Sequence, residues 1–168
     1  MVLIRIGVGS VAQTIAEDTA TAIAGLSVND VDGNLATTQL SVTNGALSVS
    51  LAGGATISAG ANGSSSLTLS GTQAQINSAM ATLTYQGSAN FNGSDTLTVL
   101  STDSAGVPLS DTDTVAITVS AANDAPVNTV PGAQATVQNT PLLFSAANGN
   151  LISVGDVDAP SGDLQVTL

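Results

Sequence analysis

Histidine, cysteine and tryptophan are absent from this 168-residue chain, lysine is absent too, and Arg5 is its single base. Without His or Cys, zinc, haem and iron–sulfur centres lose their usual protein ligands. Without Cys no disulfide forms, so cysteine says nothing about the redox compartment. Without His, Cys and Lys the common general bases, activated nucleophiles and phosphate clamps are missing, and no enzyme is expected. Two carboxylates would suffice for glycoside hydrolysis. The aromatic platforms that usually hold sugars, however, reduce to Tyr85, Phe91 and Phe144. No apolar run approaches the roughly 20 residues that span a bilayer. The opening MVLIRIGVGS is too short and too weakly charged for a secretory signal and alternates in the manner of a strand.

What the chain does contain is acid, small polar residues and aliphatics. Twelve acids set against one base give a net charge of −11, and all but Glu17 are aspartates. Such a chain repels nucleic acid and anionic lipid and attracts cations, so neither nucleic acid nor membrane insertion is expected. Thr, Ser, Val, Ala, Gly and Asn dominate, which suits strands and turns.

Period-two segments recur between turn signals. TQLSVT (38–43) and ALSVSL (46–51) flank Asn44-Gly45, a dipeptide that favours a type I′ hairpin turn. Asn62-Gly63, Asn92-Gly93 and Asn148-Gly149 are further turn candidates; the first two open glycosylation sequons that turn chemistry explains better. SSLTLS (65–70), TLTY (82–85), DTLTVLS (95–101) and DTVAITVSA (113–121) read as strands. GTQAQINSAMATL (71–83) breaks the alternation. It sets Ile76, Met80 and Leu83 at helical spacing behind Thr72, a plausible N-cap, and predicts a short helix near 72–82. Evenly spaced strands with almost no helix indicate an all-β sandwich with an aliphatic core.

The chain also repeats itself. AQTIAEDT (12–19) aligns with AQATVQNT (133–140), SVNDVDGN (27–34) with SVGDVDAP (153–160), and QLSVT (39–43) with DLQVT (163–167). The period is about one immunoglobulin-sized domain. The expected organisation is an N-terminal strand or extension over 1–11, a sandwich over 12–122, a linker at 123–126, and the first part of a second, incomplete sandwich over 127–168.

The repeated D-V-D carries the candidate chemistry. Asp30, Asp32 and Asn34 offer oxygen-bearing side chains at alternating positions, as calcium, with its six to eight oxygen ligands, requires. The EF-hand register does not fit, because Gly33 is fourth and Ser41 twelfth. The competing reading is a polar turn, since Asp-Gly is a common turn dipeptide. Asp95, Asp111, Asp113 and Asp163 default to solvated strand ends.

STDSAGVPLSDTDTVAITVSAANDAP (101–126) resembles the end of a cadherin repeat in Asp103, Gly106, Pro108, Leu109, Ser110, Asn123, Asp124 and Pro126. DVDGN resembles that family's D-x-D loop, and Glu17 stands where the family has a first-strand glutamate. The likeness is nearest to cadherin-like tandem repeats of giant bacterial surface proteins and adhesins, over about residues 12–168. It implies an immunoglobulin/cadherin-like Greek-key β-sandwich with calcium at the domain junctions. Carried over, one junction would use Glu17, Asn123, Asp124, Asp156 and Asp158, and the opposite pole of the first domain would use Asp30, Asp32, Asn34 and Asp103. The acidic mid-domain motif of cadherins has no clear counterpart here, and the second copy has Gln138-Asn139 where the first has Glu17-Asp18.

The function so implied is an extracellular or bacterial cell-surface structural and adhesive module stiffened by calcium. Its partners would be adjacent copies of the same repeat or subunit, head to tail, or a surface receptor or polysaccharide. Two alternatives stand beside it. One is a self-assembling fibre subunit whose incomplete second domain is completed by a neighbour, with VLIRIGV as a candidate donated strand. The other is a carbohydrate- or protein-binding module.

Overall fold

A computed structural model describes residues 4–8, 12–159 and 164–167, and the chain separates into two compact units, Met1–Ala122 and Asn123–Leu168. Asp163 lies outside the described residues.

In the first unit the alternating segments become strands in three sheets. The largest contains β2 (Gln13–Ala16), β5 (Leu35–Ser41), β7 (Thr56–Gly60), β8 (Ser66–Ser70), β10 (Gly93–Asp103) and β11 (Ser110–Ser120), in the order β2-β11-β10-β5-β8-β7. β3 (Thr21–Ala22), β6 (Gly45–Ser48) and β9 (Thr84–Gly87) form a second sheet in the order β3-β9-β6, and β1 (Ile4–Val8) pairs with β4 (Leu26–Asp30). All pairings are antiparallel except β2 with β11. The inward rows are aliphatic: Leu26 and Val28, Leu40, Leu67 and Leu69, Leu97 and Val99, Val115, Ile117 and Val119. The unit is an all-β sandwich.

The helix forms where the alternation breaks. α1 (Gln73–Met80) begins behind Thr72, whose hydroxyl accepts from the Gln75 N–H, while the Gln75 side chain accepts from the Thr72 N–H. This reciprocal capping box satisfies two donors of the first turn. Ile76, Ala79 and Met80 face the core. On a neighbouring face the Asn77 amide imitates a strand, accepting from Val28 N at 2.8 Å and donating to Val28 O at 2.9 Å. Gln73 Oε1 accepts from Asp30 N at 2.8 Å, so the helix holds β4 up to the start of the first D-V-D loop.

Two sequence expectations are corrected here. Asn44-Gly45 is no hairpin turn, because β5 and β6 lie in different sheets and neither residue has positive φ. Asp95 explains the difference: its carboxylate accepts from the N–H groups of Thr43 and Asn44 and carries the chain from one sheet to the other. Asp95 is thus no solvated strand end; it is 6% exposed. Asn62-Gly63, by contrast, does lie in the loop of the β7–β8 hairpin, with Gly63 at φ 75°.

In the second unit β12 (Val127–Thr129) pairs with β13 (Ser153–Gly155), and a 3₁₀ turn (Ala146–Asn148) ends at left-handed Gly149. Asn150 is its one buried polar residue among those described, and of its described large aliphatics all but the half-buried Val154 are exposed.

Candidate metal centre

The period of two that builds the core also buries three acids. Along β10 the inward row is Asp95, Leu97, Val99, Ser101 and Asp103, so a carboxylate brackets the apolar row at each end. Along β4 the inward row is Leu26, Val28 and Asp30. Buried carboxylates need donors, and the loops' own backbone N–H groups provide them.

Asp95 is the most completely satisfied. It accepts from Thr43, Asn44 and Thr96 N–H and from the Tyr85 hydroxyl at 2.9 Å. Burial alone would raise its pKa, but the Asn44, Thr96 and Thr43 N–H groups and the Tyr85 hydroxyl outweigh it and hold the carboxyl below the usual aspartate value. Tyr85 is driven the other way, first by burial and then by its bond to Asp95 and by that charge, so it stays a protonated donor. This pair fixes a chain crossing and leaves no oxygen for a ligand.

The other end of β10 differs. Asp30 caps its own loop: Oδ1 accepts from Asp32 N at 3.1 Å and Oδ2 from Asn34 N at 2.9 Å. Asp103 does the same for the β10–β11 loop, where Oδ1 accepts from Ala105 N at 3.1 Å and Leu109 N at 3.0 Å. A register shift between Thr102 and Asp103 sets Asp103 opposite Leu35, and Ser104 donates through N and Oγ to the Asn34 carbonyl. Bulges of this kind re-aim side chains at a sheet's end. Asn34 and Asp103 therefore share one corner of the unit. There two side-chain oxygens, Asn34 Oδ1 and Asp103 Oδ2, are buried without a hydrogen-bond partner. Asp103 is 2% exposed, whereas Asp32, two residues before Asn34 in the chain, is exposed to solvent.

The donor set at this corner is all oxygen, a carboxylate and an amide with a second carboxylate at the rim, which suits a hard cation such as calcium. Among the described residues no three His, Cys, Asp or Glu side chains gather into a metal cluster. Asp30 accepts one loop N–H at each oxygen, as a polar turn requires, and the oxygens without a hydrogen-bond partner belong to Asn34 and Asp103.

The remaining residues assigned to a metal fall in separate units. Glu17, in the first, is 1% exposed; Oε1 accepts from Ala122 N at 2.7 Å and Oε2 from Asn92 Nδ2 at 3.5 Å. Asn123, Asp124, Asp156 and Asp158 belong to the second. There Asp156 Oδ1 accepts from Asp158 N at 3.0 Å, the same turn that Asp30 makes with Asp32. Asp158 Oδ2 accepts from Asp124 N, and Asn123 Nδ2 donates to Asp124 O.

The role of Asp95 escaped the sequence reading. Its signal was phase: Asp95, like Asp103, lies in register with Leu97 and Val99 and so points into the sandwich.

No curated protein sequence and no solved structure shows a significant match to the chain. A family comparison matches residues 21–112, more than half of the chain, to the domain described as Protein GAMETE EXPRESSED 2. This overturns the resemblance to cadherin-like repeats of bacterial surface proteins, and with it the bacterial location and the bacterial adhesin-repeat role drawn from that resemblance. The motifs behind that resemblance are short, and Asp30 and Asp103 show why: a D-x-D turn and a strand-end aspartate serve to cap sandwich loops. The matched span runs from β3 into β11 and contains the helix, both oxygens of the open corner and the Tyr85–Asp95 pair, and the chain belongs to the Protein GAMETE EXPRESSED 2 domain family.

Proposed function

We propose that this is a non-enzymatic, extracellular structural domain whose first unit binds calcium at the corner of Asn34 and Asp103, with Asp32 at its rim. The observation that carries the reading is the pair of buried, unpartnered oxygens on adjoining loop ends. Burying a polar oxygen without a partner is unfavourable, and a cation bound there would remove that penalty while tying the β4–β5 loop to the β10–β11 loop. Extracellular modules typically bind calcium with dissociation constants of about 10⁻⁴ to 10⁻³ M. Such a site is empty in cytosol and filled outside the cell. The family's name ties its namesake to gametes, and a non-enzymatic role agrees with a sequence that holds no His, Cys or Lys. The test is thermal unfolding of the full chain with millimolar calcium or with chelator. A rise in Tm that Asp103→Asn abolishes supports the site, and coincident curves refute it.

A specific observation favours a second reading for the other unit. Leu40 and Val42 are 0% and 9% exposed, whereas Leu164 and Val166, which align with them, are 38% and 58% exposed. Leu26, 7% exposed, likewise aligns with Ile152, 49% exposed. The second unit thus shows solvent the residues that the first buries, and strands from another copy of the chain would cover them. Sedimentation velocity decides this: a concentration-dependent assembly supports it and a monomer at all concentrations excludes it.

A further inference from the structure

We infer that the calcium corner is a docking surface for anionic phospholipid bilayers, and this inference rests on the calcium reading above. The argument starts from where the first unit shows apolar surface. Among its residues with described side chains, Val31, Leu51, Val107 and Leu109 are the large aliphatics left exposed. Three of the four stand on the two loops that frame the corner: Val31 inside D-V-D, Val107 and Leu109 between β10 and β11. Val31 is 67% and Val107 80% exposed. Core packing has no use for them there, while loop tips in water favour polar residues.

The two features of the corner complement the two layers of a membrane surface. A calcium ion held by Asn34 Oδ1, Asp103 Oδ2 and Asp32 has fewer protein ligands than the six to eight it takes. Its open positions accept anionic oxygens, such as those of a phosphate group. The aliphatic tips beside it gain by leaving water for the acyl boundary. A free phosphate would engage the ion alone, whereas a bilayer engages ion and tips together. The net charge of −11 repels an anionic surface when the ion is missing. Docking is therefore conditional on calcium, whose two positive charges offset most of the charge of Asp30, Asp32 and Asp103 and whose open positions bind the phosphate directly.

The experiment is co-sedimentation of the full chain with phosphatidylserine/phosphatidylcholine vesicles and with pure phosphatidylcholine vesicles, in millimolar calcium or chelator. The expected result is pelleting with phosphatidylserine vesicles only when calcium is present, reversed by chelator. Val31→Ser combined with Val107→Ser, both at exposed positions, is expected to weaken vesicle binding more than tenfold while leaving the calcium-induced rise in Tm intact. A Tm that responds to calcium without calcium-dependent pelleting overturns the docking inference and leaves the calcium site standing. Binding of soluble phosphoserine without vesicle binding, or equal pelleting of the double variant, overturns it as well. If calcium neither shifts Tm nor promotes pelleting, both readings fall.

Discussion

The Tyr85 hydroxyl donates to Asp95 Oδ2 at 2.9 Å inside the sandwich, and Asp95 in turn receives the two N–H groups at which the chain leaves one sheet for the other. One aromatic and one acid thereby fix the crossing from β5 to β6. Gly45 completes the arrangement: a Cβ there would come within 2.6 Å of the Gln86 carbonyl oxygen and would meet the Tyr85 ring.

Tyr85→Phe removes the hydroxyl that donates to a buried carboxylate at 2.9 Å and also lies 3.3 Å from the Asn44 carbonyl oxygen. A hydrogen bond to a charged group contributes about 1.5–3 kcal/mol, so urea unfolding should show a loss of about 2 kcal/mol with an unchanged m-value. A loss below about 0.5 kcal/mol would mean that the three N–H donors suffice.

The same site sets part of the acid sensitivity. The folded-state pKa of Asp95 lies below its unfolded value, through N–H and hydroxyl donors that outweigh burial. Its stabilising contribution is complete above the unfolded pKa of about 3.9 and is lost as pH falls through the folded value. Asp95→Asn should lower stability near neutral pH and flatten its decline below about pH 4. An unchanged acid limb in the variant would contradict the assignment.

Asn77 replaces a strand partner for β4. Asn77→Ala leaves the N–H and C=O of Val28 without that partner and should lower stability by about 2 kcal/mol, with faster amide exchange at Val28. Unaltered exchange there would show that the helix does not hold the strand.

How far the sequence revealed this architecture depends on which residues are asked. Thr72 and the spacing of Ile76, Met80 and Leu83 announced the helix, because an N-cap and a periodic apolar stripe are local signals. The strand segments of β8, β10 and β11 were legible from alternation alone. Asn44-Gly45 misled, because the turn is decided by Asp95, about fifty positions away. Asp95 itself was misread because an acid at a strand end is usually solvated; only its phase with Leu97 and Val99 gave it away. For the candidate site, Asp30, Asp32, Asn34 and Asp103 were all singled out in the sequence. What required coordinates was the division among them: Asp30 caps its loop, whereas Asn34 and Asp103 retain open oxygens.

That division predicts an unusual variant. In Asp103→Asn the Oδ1 keeps its bonds to the Ala105 and Leu109 N–H groups, and an amide nitrogen replaces the open oxygen. Without calcium the variant should be about as stable as the parent. With calcium at ten times its dissociation constant the parent should gain about 1.4 kcal/mol, a Tm rise of about 5 °C, and the variant almost none. Equal gains in both proteins would remove Asp103 from the site.

The most direct test of the calcium corner is a calcium titration of the ¹⁵N-labelled chain followed by NMR. The account predicts saturable shifts at the Asn34 side-chain amide and at the backbone amides of Asp103 to Leu109, with a midpoint at or below about 10⁻³ M. Resonances of Asn34 and of that loop that stay fixed through the titration would contradict it.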